Sequence, residues 1–206
     1  MQPLKAAGLG AIARLRTEQQ AVTGEAGIRI DRLAGTADTA IAALLDAAFG
    51  PDRHGRTAYR IRRGMAWLTD LSFAARDESG ALVGVLQSWP VALDMGNGET
   101  EPLVMVGPVA VLPDMQLHGI GRMLMDRLAE TADALPAAAQ LPLMMIGDPE
   151  YYGRFWGFSA DATGGWDVPG PVERRRLLAR LPEQASLPAV GMLGPRQRIA
   201  APLGAG

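Results

Sequence analysis

The chain has 206 residues, 48% of them apolar, and 20 Lys and Arg against 22 Asp and Glu, for a formal charge of −2. That length predicts one domain with a sizeable core, and the charge balance argues against a protein held on nucleic acid or anionic lipid by its overall field. The lack of cysteine excludes disulfides, thiolate metal sites and cysteine nucleophiles together. His54 and His118, the two histidines, are not at metal-ligand spacing, so no metal is expected.

Residues 1–26 read as an N-terminal extension. Its short helical pattern, Leu9 to Gln20, has only a narrow stripe of Leu9, Ile12, Ala13 and Leu15, and the segment is expected to be peripheral or mobile. Lys5, Arg14, Arg16, Glu18 and Glu25 interrupt it where a leader needs an apolar core, and no apolar run approaches the roughly 18 residues that span a bilayer. A cytoplasmic protein without a membrane partner is expected, with residues 27–206 as a single domain.

From Ile28 to Leu33 the sequence alternates as a strand, and Thr36-Ala37-Asp38 reads as the cap of a helix with Ile41, Leu44, Leu45, Ala48 and Phe49 on one face. Gly50-Pro51 ends it, and Arg56 to Arg63 predicts a second, basic helix. Leu71 to Ala75 and Ala81 to Leu93 predict strands joined by the turn Asp77-Glu78-Ser79-Gly80. After a turn from Asp94 to Glu99, Leu103 to Leu112 is a fourth strand, interrupted by Gly107-Pro108. A helix from Leu117 to Leu135 carries Met123, Leu124, Leu128, Ala129 and Ala132 as a core stripe. Leu141 to Ile146 is a fifth strand and Tyr151 to Trp156 a short helix. Beyond Phe158 come Gly164-Gly165-Trp166, the charged run Glu173 to Arg176 and a strand-like Ala189 to Leu193. Strands that first meander and then alternate with helices predict an α+β fold, a mixed sheet with helices on both faces.

The connection between the fourth strand and the following helix is the most informative stretch. Gln116-x-x-Gly119-x-Gly121 places two glycines where backbone can approach a ligand, just ahead of helix N–H groups that lack intrahelical partners. Such a turn is an anion site, and a phosphorylated ligand is expected. No Gly-x-x-x-x-Gly-Lys-Ser/Thr run exists, which excludes a P-loop nucleotide site.

This spacing resembles the Q/R-x-x-G-x-G/A turn of the GNAT superfamily of N-acetyltransferases, which holds the pyrophosphate of acetyl-coenzyme A. About thirty residues downstream, Gly147-Asp148-Pro149-Glu150-Tyr151-Tyr152-Gly153-Arg154-Phe155-Trp156-Gly157-Phe158 resembles the GDP-x-YY-x-RF-GF signature of small stand-alone bacterial GNAT proteins, with Trp156 as an extra residue. The resemblance implies a twisted, mostly antiparallel sheet whose fourth and fifth strands, here Leu103 to Leu112 and Leu141 to Ile146, splay apart to admit the pantetheine arm. It implies acetyl-CoA as cosubstrate, bound by the backbone of Val109, Ala110 and Val111 and by Gln116, Leu117, His118, Gly119, Ile120, Gly121 and Arg122. Gly107-Pro108 is either a strand irregularity or the break that frees this backbone; Arg122 either contacts a phosphate or lies over the helix face.

By the same resemblance, Tyr152 is the general acid for the departing thiolate, with Tyr151 as the alternate because Trp156 changes the register; on packing grounds alone both read as structural tyrosines. The glutamate that many GNAT proteins carry on the fourth strand is missing. A base must then come from the turn region, where Asp94, Glu99 and Glu101 stand, or from ordered water. The resemblance implies direct acetyl transfer to an amine acceptor, a small molecule or a protein, with homodimerisation left open; the alternative is an acyl-CoA-binding sensor without turnover. Arg53, Arg56, Arg60, Arg62 and Arg63 read first as a solvated face, and any of them facing the cleft would favour an acceptor bearing carboxylate or phosphate.

Overall fold

Short alternating runs separated by polar turns fold the first half of the chain into an antiparallel meander. In a computed structural model that describes residues 22–23, 27–183 and 185–196, β1 (Val22–Thr23), β2 (Arg29–Arg32), β3 (Phe73–Arg76), β4 (Leu82–Asp94) and β5 (Thr100–Val111) pair in that order, each antiparallel to the one before. Beyond them, β6 (Leu143–Ile146) runs parallel to β5, and β8 (Leu177–Arg180) antiparallel to β6. The far half of β4 also pairs with β9 (Val190–Pro195), along which β7 (Gly165–Asp167) lies parallel. Among the described residues, four α-helices flank this mostly antiparallel sheet: α1 (Asp38–Phe49), α2 (Thr57–Ile61), α3 (Ile120–Asp133) and α4 (Pro149–Trp156). The α+β class expected from the sequence is the class observed. Val22–Thr23, inside the predicted extension, pairs with β2; the predicted Leu9 to Gln20 helix lies outside the described residues.

Side-chain parity builds the layers. On β5, Val104 and Val106 face the cluster under α3, with Ile120, Leu124, Met125 and Leu128, while Leu103 and Met105 face a second cluster with Ile61 and Trp166. Beyond Gly107-Pro108 the parity inverts: Val109 and Val111 now pack toward α3, and Ala110 joins the α1 cluster of Ile41, Leu44 and Leu45. An interruption that adds one position does this to a two-residue repeat. The β4 register shifts opposite it, between Leu86 and Ser88.

Local chemistry sets the boundaries. Thr36 does not cap α1: its hydroxyl accepts from Arg76 at 2.8 Å, and the N-cap is Ala37. The helix predicted from Leu117 begins only at Ile120, because Pro113–His118 winds as a 3₁₀ helix and Gly119, at φ 68°, takes a left-handed turn between the two. The strand β8 was not anticipated from the pattern, since Leu177, Leu178 and Ala179 are buried on both faces and show no alternation. Among the described residues, no helix is long and apolar enough to cross a membrane.

The N-terminus of α3 reaches the sheet over Gly84, where an added Cβ would lie 3.0 Å from Ile120 Cγ2 and 3.2 Å from both Ala110 O and Ala75 Cβ. Gly84→Leu should therefore lower stability by about 1–3 kcal/mol through overpacking, read as a reduced midpoint in denaturant at unchanged slope.

Candidate functional site

Pairing between β5 and β6 is confined to Val104 with Leu143 and Met105 with Met144. From Val106 to Val111, β5 keeps β4 on one edge, while among the described residues no strand pairs its other edge. The two strands thus splay into a wedge that opens at the Gly107-Pro108 bulge, where the peptide bond is cis. The Gly107 carbonyl accepts two hydrogen bonds there, from Arg62 Nη1 at 2.7 Å and from Trp89 Nε1 at 2.8 Å. Val109, Ala110 and Val111 follow directly along the open edge.

At the end of β5, Pro113–His118 carries Gln116, Leu117 and His118 on the surface, with Leu117 fully exposed. His118 Nδ1 lies 3.3 Å from the Met115 carbonyl. The α3 ladder starts with Met123 N–H on the Gly119 carbonyl at 3.1 Å, so the N–H groups of Ile120, Gly121 and Arg122 precede it. A Cβ at Gly119 would meet nothing within 4 Å, and one at Gly121 only Val111 Cγ2 at 3.9 Å. Protein packing thus does not require glycine at 121, although glycine weakens a helix. The Arg122 guanidinium sits over the Phe155 ring at 4.6 Å and pairs with Asp126 at 3.7 Å, which holds its side chain against α4.

On the far side of the bulge lies a cavity of about 800 Å³. Its walls come from the α1 end and α2, from β5 between Met105 and Val109, from Met145 to Tyr152, and from residues 171–173 and Arg176. The last segment is tied down by Thr57 Oγ1, which donates to the Pro171 carbonyl at 2.6 Å, and by Arg60 on the Pro169 carbonyl at 3.2 Å.

Both candidate tyrosines line this cavity. The Tyr152 ring lies against Gly147, where an added Cβ would come within 2.6 Å of it, and near the rings of Trp156 and Phe158. Burial pushes its phenol up to about 12, so it stays protonated through the neutral range. Tyr151 is 39% exposed, and burial raises its phenol too. Trp156 is the last residue of α4 before Gly157 ends it in a left-handed turn, and the indole is buried with Nε1 donating to Asp126 on α3 at 2.8 Å.

The Acetyltransferase (GNAT) family matches residues 39–141, half of the chain. The chain belongs to this family. Among solved structures, it resembles the GNAT family N-acetyltransferase YhbS from Escherichia coli in complex with CoA, at 22% identity and a TM-score of 0.65 over 86% of this chain and 94% of that one. A GNAT family acetyltransferase from Brucella melitensis in complex with acetyl-CoA is similar at 23% identity and a TM-score of 0.52, over 81% and 94%. Both likenesses concern the fold. No curated protein matches by sequence.

Within this GNAT frame the basic cluster divides. Arg53, Arg56 and Arg62 line the cavity, whereas Arg60 and Arg63 are exposed outside its lining. Arg53 is buried, its Nε on Asp46 at 2.7 Å and another nitrogen on the Tyr59 hydroxyl. Arg62, 5% exposed, stacks between the Tyr59 and Trp89 rings at 4.1 and 4.4 Å, contacts worth about 2 kcal/mol each when desolvated. Burial draws its guanidinium down to about 10.

The turn carboxylates do not reach the site. Asp94 accepts from Gly96 N–H, Glu99 from Asn97, and Glu101 pairs with Leu93 at the distal end of the β4–β5 ladder. The carboxylates in the cavity wall are Asp148, which caps α4 by accepting from Glu150 N–H at 3.0 Å, and Glu173. Sequence reasoning missed Glu173, Arg176 and Trp89; the charged run Glu173 to Arg176 was visible but sits on a loop that only the tertiary fold brings to the cavity. Gly121→Ala should stabilise the ligand-free protein by up to about 1 kcal/mol, because it restores helix propensity without a clash, and a thermal melt measures it.

Proposed function

We propose that this protein is an N-acetyltransferase that uses acetyl-CoA and passes the acetyl group directly to an amine acceptor. The observation that supports the reading most strongly is the wedge between β5 and β6, which joins a glycine-bearing helix N-terminus at one end to the tyrosine-lined cavity at the other. The residues present fit the cosubstrate: Ile120, Gly121 and Arg122 N–H groups suit a pyrophosphate, and the clearance at Gly119 and Gly121 leaves room for it. The open edge of Val109 to Val111 suits the amides of a pantetheine arm. Bound there, acetyl-CoA supplies an activated thioester whose acetyl group moves to the amine while the sulfur leaves as thiol.

The chain's own part follows from its side chains. A backbone N–H on β5 past the bulge serves to hold developing negative charge on the acyl oxygen, and the clamped Gly107 carbonyl fixes the bulge from which that edge departs. Tyr152 keeps its proton at neutral pH and donates it toward the departing sulfur. The acceptor proton leaves to water or to Glu173 or Asp148, the carboxylates lining the cavity. With no cysteine in the chain, a covalent thioester on the enzyme has no nucleophile.

Saturating acetyl-CoA should raise the melting temperature, since a ligand that binds only the native state stabilises it, and Gly121→Asp should abolish the shift by placing a negative side chain against the phosphates. Equal melting with and without acetyl-CoA would remove the proposal; a shift without thiol release across an amine panel would mark a binding module instead.

Tyr152→Phe keeps the ring packing and removes the donor, so turnover should fall about 10- to 10,000-fold with little change in acetyl-CoA affinity. Impairment of Tyr151→Phe alone would transfer the role to Tyr151. Because the phenol holds its proton up to about 12, turnover should rise with pH as the acceptor amine deprotonates and show no alkaline limb from Tyr152 below about pH 10. A descending limb near neutrality that disappears in Tyr152→Phe would contradict this assignment.

A further inference from the structure

The cavity holds more positive charge than the protein neutralises. Arg56, Arg62 and Arg176 all line it, and none lies within ion-pair distance of a carboxylate among the described residues. Each is anchored to a backbone carbonyl instead: Arg56 Nη2 to Phe49 O at 3.0 Å, Arg62 Nη1 to Gly107 O at 2.7 Å, and Arg176 Nε to Gly147 O at 3.3 Å. These bonds fix the guanidinium forks while leaving further N–H groups of each five-donor set to be used. Gly107 and Gly147 sit on opposite arms of the wedge, so Arg62 and Arg176 flank it from both sides.

The acidic groups nearby are already engaged. Asp46 takes Arg53, Asp148 caps α4, and Glu173 lies 3.7 Å from Arg175. In a chain whose formal charge is −2, this local excess is a matter of placement and not of composition. Burial of Arg62 without an acid is costly, and two aromatic faces offset only part of that cost.

We propose that the cavity selects an amine acceptor that carries an anionic group, carboxylate or phosphate, held by Arg56, Arg62 and Arg176. This rests on the acetyltransferase reading of the same cavity. The planar guanidinium fork matches both anions bidentately, and an anion beside Arg62 supplies the countercharge that the fold omits. Burial draws the Arg62 guanidinium down to about 10, which leaves it charged at neutral pH, and an anion beside it offsets that desolvation.

Calorimetric titration of the whole protein, with and without CoA, tests this through product-like probes. N-acetylglycine is compared with N-acetylglycinamide, and N-acetyl-aminoethyl phosphate with N-acetylethanolamine. Each acid should bind about 10- to 100-fold more tightly than its neutral counterpart, the range expected for hydrogen bonds to a charged group; the stronger of the two acids identifies the anion. Arg56→Gln and Arg176→Gln, both on exposed side chains, should reduce that preference with CoA affinity unchanged, while Arg63→Gln, outside the cavity lining, should leave both as they were. Equal affinity for acids and neutral probes, saturation by neither, or a preference that survives both variants overturns the proposal. Discrimination by a protein that fails to bind CoA would instead overturn the acetyltransferase reading and leave the anion site standing.

Discussion

The site depends on a strand that cannot be paired on both edges along its length. β5 is sewn to β4 almost from end to end, yet its partnership with β6 lasts two residue pairs. At the point of divergence, Gly107 and Pro108 interrupt the two-residue repeat, and the Gly107 carbonyl is held by a buried arginine and a tryptophan. A backbone edge left open inside a protein exposes donors and acceptors that would be expensive to strand without partners. A wedge of this kind is therefore a natural receptor for a ligand that brings its own amides.

The same interruption changes which residues of the strand meet each packing environment. Before it, β5 divides its side chains between the α3 cluster and the cluster around Ile61 and Trp166; after it, between α3 and α1. The end of α1 and α2 both line the cavity. Arg62 belongs to both systems. Its fork holds the bulge carbonyl, its faces are covered by Tyr59 and Trp89, and it borders the cavity.

Trp156 closes the helix that carries both tyrosines. Trp156 is the last residue of α4, and the helix closes with Gly157 in the left-handed region, its N–H on the Gly153 carbonyl and Phe158 N–H near that of Tyr152. The indole turns toward α3 and bonds Asp126, while Tyr152 stays packed on Gly147 at the cavity.

From the sequence alone, the α+β class, the meander, the break in β5 and the glycine turn before α3 could be read, because alternation, proline and glycine act locally on the backbone. The GNAT resemblance rested on two motifs, and both lie on the wedge. What escaped local reading depended on distant segments meeting. β8 was hidden because a strand buried on both faces loses its alternation, and β7 is too short to show a period. The sorting of five neighbouring arginines into cavity and solvent was equally invisible, since the charges are alike in sequence and differ only in what α1, β4 and β5 place around them. Glu173 and Arg176 entered the site for the same reason: Thr57 and Arg60, more than a hundred residues earlier in the chain, hold their loop over the cavity. Backbone conformation answers to nearest neighbours, but the environment of a charge is set by whatever the fold packs against it.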